Sequence, residues 1–115
     1  MTKLLNIKET EEFLKDFTIK NDIEIAFIAS PEGGLICCND PDKIRLTTEV
    51  LSNVWQTLFL QDWKRSCFEW DSSYIVLMNM GSWIFGLRQN DPDPTKLGMI
   101  RYKAQICADH IAQHL

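Results

Sequence analysis

Apolar and polar positions change period several times along this chain, and the changes divide it into eight elements. Residues 3–19 carry Ile7, Phe13, Leu14 and Phe17 towards one side at roughly helical spacing. Asn6-Ile7-Lys8-Glu9 has the Asn-x-x-Glu form of a capping box, in which the first side chain accepts from a first-turn amide. Lys20-Asn21-Asp22 breaks that helix. Residues 23–30, IEIAFIAS, are rich in β-branched and aromatic side chains and predict a strand. Pro31-Glu32-Gly33-Gly34 is a turn, with glycines free to take positive φ, and residues 35–38 return to complete a hairpin.

Asn39-Asp40-Pro41-Asp42 then opens a helix, with an Asn or Asp cap and proline near its first turn. That middle helix, residues 44–60, is apolar on two sides. Ile44, Thr47, Leu51, Val54, Trp55 and Leu58 form one stripe by the i, i+3, i+4, i+7 rule. Leu46, Val50, Thr57 and Leu60 form a neighbouring one. The surface helix of a small monomer needs one such stripe. Two stripes predict cover from two directions, the helix's own sheet and a partner subunit.

Three more strands follow. Residues 66–71, SCFEWD, alternate; residues 74–80, YIVLMNM, form a nearly continuous apolar run, as in a central strand covered on both faces. After Gly81-Ser82 comes a strand over 83–88, with Gly86 as a bulge or close-approach point. Asn90-Asp91-Pro92-Asp93-Pro94 is a rigid helix entry. The last helix, 95–115, places Leu97, Ile100, Ala104, Cys107, Ala108, Ile111 and Leu115 on one stripe. The order α-β-β-α-β-β-β-α with short connections predicts one α+β domain over residues 1–115. It would hold a five-stranded antiparallel sheet, with one helix on one face and two on the other.

Composition narrows the function classes. The 115 residues carry a net charge of -4 and a pI near 5.1, which argues against a nucleic-acid module. No apolar run reaches the ~18 residues of a membrane span, and the N-terminus shows neither a signal-peptide core nor Gly at position 2. Any membrane association is therefore expected to be indirect, through partners. Cys37, Cys38, Cys67 and Cys107 form no CxxC pair. The vicinal pair would point to opposite sheet faces, so reduced, mostly buried thiols are expected. Cys107, His110 and His114 stand at i, i+3, i+7, but a buried cysteine beside two exposed histidines outweighs a metal site. Glu32-Gly33-Gly34 lacks the Lys-Ser/Thr of a phosphate loop and reads as a turn. No Ser or Cys sits in a nucleophile elbow beside a base, and the carboxylates Glu9, Glu11, Glu12, Asp91 and Asp93 are scattered. The expectation is a chain that is not an enzyme and needs no cofactor or metal. Of Trp55, Trp63, Trp70 and Trp83, Trp70 is the best interface candidate, because it lies on residues 66–71, the strand expected at the sheet edge.

The order and lengths of the elements, and the hairpin Ile25-Ala26-Phe27-Ile28 … Pro31-Glu32-Gly33-Gly34-Leu35-Ile36, resemble the roadblock family, which has a profilin-like layered sheet. Leu51-Ser52-Asn53-Val54-Trp55 and Leu97-Gly98-Met99-Ile100-Arg101-Tyr102-Lys103-Ala104-Gln105 are similar to a subunit of the Ragulator scaffold. The three Trp positions at 63, 70 and 83 depart from that subunit. The resemblance implies a homo- or heterodimer with a roadblock-like partner, formed through the middle helix and the strand after it. The implied contact residues are Leu46, Val50, Asn53, Thr57, Leu60, Cys67, Phe68, Glu69 and Trp70. It further implies a platform for Rag-type small GTPases in TOR and MAPK signalling, peripheral on late endosomes or lysosomes. The alternatives it leaves are a homodimeric regulator of a small GTPase and a dynein light-chain-like subunit.

Overall fold

The structure is a computed structural model that describes residues 6–32, 34–42, 63–70 and 72–114. The middle helix predicted over 44–60, with Leu46, Val50, Asn53, Trp55, Thr57 and Leu60, lies outside the described residues.

Helix α1 spans Ile7–Asn21. Asn6 caps it: its side-chain oxygen accepts from the Glu9 amide at 3.1 Å, relieving one of the unpaired first-turn donors. Lys20 and Asn21 belong to the helix, and Asp22 ends it in the left-handed conformation, φ 55°. Leu14 and Phe17 are buried and Phe13 half-buried, but Ile7 is 51% exposed. The predicted apolar cluster therefore loses its first member, because the sheet lies under the later turns of the helix. Thr10 takes a core position instead, its hydroxyl donating to the Asn6 carbonyl at 2.7 Å.

The strands are β1 (Ile25–Ala29), β2 (Leu35–Cys38), β3 (Arg65–Trp70), β4 (Ser73–Asn79) and β5 (Ile84–Asn90). All neighbours are antiparallel, in the order β2-β1-β5-β4-β3. The central strands β1, β4 and β5 are buried along nearly their whole length. A 3-10 turn (Pro94–Lys96), capped by Asp93, leads into helix α2 (Leu97–His114). Ile100, Ala104, Cys107, Ala108 and Ile111 are its buried stripe, as the spacing predicts. Met99, Tyr102 and Ile106 are exposed apolar residues of the same helix.

Both described helices pack on one face of the sheet. Ala26, Ile28, Cys37, Val76, Met78, Phe85 and Leu87 meet Leu14 and Phe17 of α1 and the buried stripe of α2. Ile25, Phe27, Ala29, Cys38, Ile75, Leu77 and Ile84 form a second cluster on the opposite face, with Trp63 and Phe68 packed against it. The vicinal cysteines fall one in each cluster, as strand alternation requires. Fully burying each large apolar side chain contributes about 1.5–3 kcal/mol, so both clusters matter to stability.

Gly86 is a close-approach point and not a bulge. It sits opposite Phe27 in unbroken register, and a Cβ there would fall among the Phe27 ring carbons. The ladder shifts register instead between Ile28 and Ala29, in the first hairpin.

Candidate interface at the open sheet edge

Strand β3 is one edge of the sheet. It pairs with β4 alone among the described strands, in a register that sets Cys67 opposite Val76, Phe68 opposite Ile75 and Glu69 opposite Tyr74. The Asn79 amide donates to the Lys64 carbonyl at 2.8 Å, which fixes the phase of the ladder. In an antiparallel pair, bonded and non-bonded positions alternate. Ser66, Phe68 and Trp70 therefore share the bonded phase of Lys64. The backbone N–H groups of Arg65, Cys67 and Glu69 point away from β4, along the side that no other described strand pairs.

The side chains of this strand are poorly covered. Cys67 and Phe68 are half-buried, one packed against each core cluster, and Glu69 is exposed. The side chain of Trp70 lies outside the described residues. The predicted contact residues that can be placed, Cys67, Phe68 and Glu69, thus stand on one continuous edge.

Polar groups hold this edge to the rest of the fold. The Asn79 side chain donates to the Trp63 carbonyl at 3.0 Å, anchoring the start of the strand. Tyr74, buried beside Cys67, accepts from Arg101 of α2 at 3.4 Å. Its hydroxyl is pushed up from the usual phenol value by burial and by its hydrogen bond with Cys67. At the far end of the strand, buried Arg88 donates to Ser73 at 3.1 Å and to Asn90 at 2.9 Å. Asn90 in turn donates to both carboxylate oxygens of Glu24, from its side chain at 2.9 Å and its amide at 3.2 Å. A charge buried this deeply is tolerable because its hydrogen bonds are satisfied. Sequence reasoning missed this network, since residues 24, 73, 88 and 90 meet only when β4, β5 and the start of β1 are side by side.

Two of the tryptophans now have places. Trp83 is buried in the cluster beneath the helices, its carbonyl accepting from Met80 at 3.0 Å across the β4–β5 turn. Trp63 packs on the opposite face, next to the edge.

Ser73 is engaged by Asn90 and Arg88. Cys37 and Cys107 are buried, and burial pushes both thiols up, Cys37 to about 12. No described helix is long and apolar enough to cross a membrane.

A five-stranded antiparallel sheet in the order β2-β1-β5-β4-β3, with an N-terminal and a C-terminal helix on one face, is the fold of roadblock/LC7 domain proteins. Myxococcus xanthus MglB superposes with a TM-score of 0.72 over 98% of this chain and 92% of its own, at 12% identity. An MglB with a tetrameric arrangement gives 0.69 over 98% and 92%, at 14% identity. The Roadblock/LC7 domain from Streptomyces avermitilis gives 0.66 over 86% and 94%, at 11% identity. Neither a protein-family model nor a curated protein sequence matches the chain. At these identities the likeness is one of fold.

Proposed function

We propose that this chain is a non-enzymatic roadblock-type adaptor, which pairs through β3 with a second roadblock-like subunit and presents the joined sheet to a small GTPase. The observation that carries this reading is the β3 edge, which no described strand other than β4 pairs. Arg65, Cys67 and Glu69 offer outward N–H groups along it, and Cys67 and Phe68 are left half-covered. An exposed strand edge is a template for another strand, and proteins that keep one either block it or use it. No proline lies on β3, and its two charged residues, Arg65 and Glu69, are of opposite sign, so they can complement an antiparallel copy. The resemblance adds the middle helix, through Leu46, Val50, Asn53, Thr57 and Leu60, to the same contact.

The homodimeric form of this reading is a regulator that acts by reshaping its GTPase; the likeness in fold to an MglB with a tetrameric arrangement supports self-association. The alternative is a heterodimeric Ragulator-like scaffold on late endosomes or lysosomes, reached through partners. It is supported by the resemblance of residues 51–55 and 97–105. Light scattering after size exclusion separates them. A mass near twice 13.4 kDa supports the homodimer. That dimer should then change single-turnover GTP hydrolysis by a candidate GTPase. A chain that aggregates alone and is rescued by a roadblock partner supports the heterodimer. A chain that stays a stable monomer at every concentration, with or without a roadblock partner, refutes both.

A further inference from the structure

The C-terminal end of α2 carries two groups that pairing through β3 does not use. His110 and His114 stand one helical turn apart and both are exposed. Their ring centroids are 4.7 Å apart, with 41° between the ring planes. The His110 ring is also stacked on Phe13 of α1, at 4.5 Å between centroids and 13° between planes. One imidazole of the pair is thus held by a neighbouring helix, and the other lies beside it on the same helix surface.

This spacing can be compared with what a shared metal ion requires. An imidazole nitrogen binds a zinc-sized ion at about 2.0–2.1 Å, and the ring centre lies about 1.1 Å behind that nitrogen. Two rings on adjacent positions of a tetrahedral or octahedral ion then have centroids about 4.5–5.2 Å apart. The observed 4.7 Å falls within that range. We propose that His110 and His114 form a two-imidazole chelate for a late first-row divalent metal ion, with water completing its coordination. Imidazole is a favoured ligand of nickel, copper and zinc.

Cys107 is not a third ligand. It is fully buried in the core, one turn further into the helix and on its inward side. Asp109, the neighbouring carboxylate, accepts from Gln105 at 3.0 Å. The chelate would clamp the last turn of α2, whose carbonyl groups have no partner within the helix. Through the Phe13 stack it would also hold that turn against α1.

The test is calorimetric titration of the untagged chain with nickel chloride, alongside amide NMR spectra to locate paramagnetic broadening. Nickel favours nitrogen ligands in this setting, which separates the histidines from the thiols. One equivalent should bind, with broadening centred on residues 110 and 114. His114→Ala, at the helix end, should weaken binding at least about tenfold, because the first ring then loses a neighbour at high local concentration. His110→Asn should do the same, and Phe13→Leu should weaken binding by a smaller factor. Unchanged affinity in either histidine variant, broadening centred on Cys67, or no binding at millimolar nickel would overturn the proposal.

Discussion

Glu69→Pro tests the interface with little disturbance of the fold. Glu69 is exposed, lies on β3, and by the phase of the ladder directs its N–H away from β4. Proline removes that donor and places a ring along the edge, yet takes nothing from the β3–β4 ladder. A net backbone hydrogen bond is worth about 0.5–1.5 kcal/mol. In a symmetric pair the loss occurs once per protomer. Association should weaken by about 1–3 kcal/mol, roughly 5- to 150-fold in Kd, before any steric effect. Sedimentation equilibrium of wild type and variant measures this, and thermal unfolding of the dilute monomer serves as control. The control should move by less than about 1 kcal/mol, as for a surface change. An unchanged Kd would remove β3 from the interface. A collapse of monomer stability would show that the Glu69 amide is bonded within the fold, and the assigned phase would be wrong.

Other predictions concern the fold that presents this edge. Gly86→Ala should destabilise the chain by about 1–3 kcal/mol in urea unfolding, since its Cβ meets the fully buried Phe27 ring; a change below about 0.5 kcal/mol would mean the ring can move aside. Asn6→Ala removes the bond to the Glu9 amide and should lower stability by about 0.5–2 kcal/mol, with Asn6→Ser restoring most of it. Stability should also fall at high pH. The Cys37 thiol ionises near 9.0 when unfolded and near 12 when folded, so the folded state holds its proton longer. Its contribution is complete below pH 9 and declines between about 9 and 12, by about 1.4 kcal/mol per pH unit. Cys107, displaced in the same direction, adds to this, and Cys37→Ala should flatten the decline in urea titrations.

Much of the fold was legible in the sequence because it depends on local period. The apolar run at 74–80 announced a strand buried on both faces, and β4 is one. The stripe through Ile100, Ala104, Cys107, Ala108 and Ile111 announced the inward side of the last helix. Asn6 and Asp93 announced helix entries, since a cap is made by a side chain with amides two or three residues away. Strand alternation alone separated Cys37 from Cys38. Strand boundaries moved by a residue or two, but the first helix, read from residue 3, starts at Ile7 after its cap Asn6, and Lys20 and Asn21, which read as a break, continue it.

The candidate site was legible as a list of residues on a strand expected at the edge, without the pairing that puts it there. Cys67, Phe68 and Glu69 could be named from the strand pattern and the family resemblance. That their strand ends the sheet depends on β5 lying between β1 and β4, a pairing of segments more than fifty residues apart. Backbone hydrogen bonds carry no residue code, so partner choice is made by which apolar faces fill the core together. The same holds for the Arg88–Asn90–Glu24 network and for His110 against Phe13, each joining elements distant in sequence. Local spacing determined which residues face inward. Tertiary packing decided which strands, β2 and β3, end the sheet, because only the assembled sheet defines an edge.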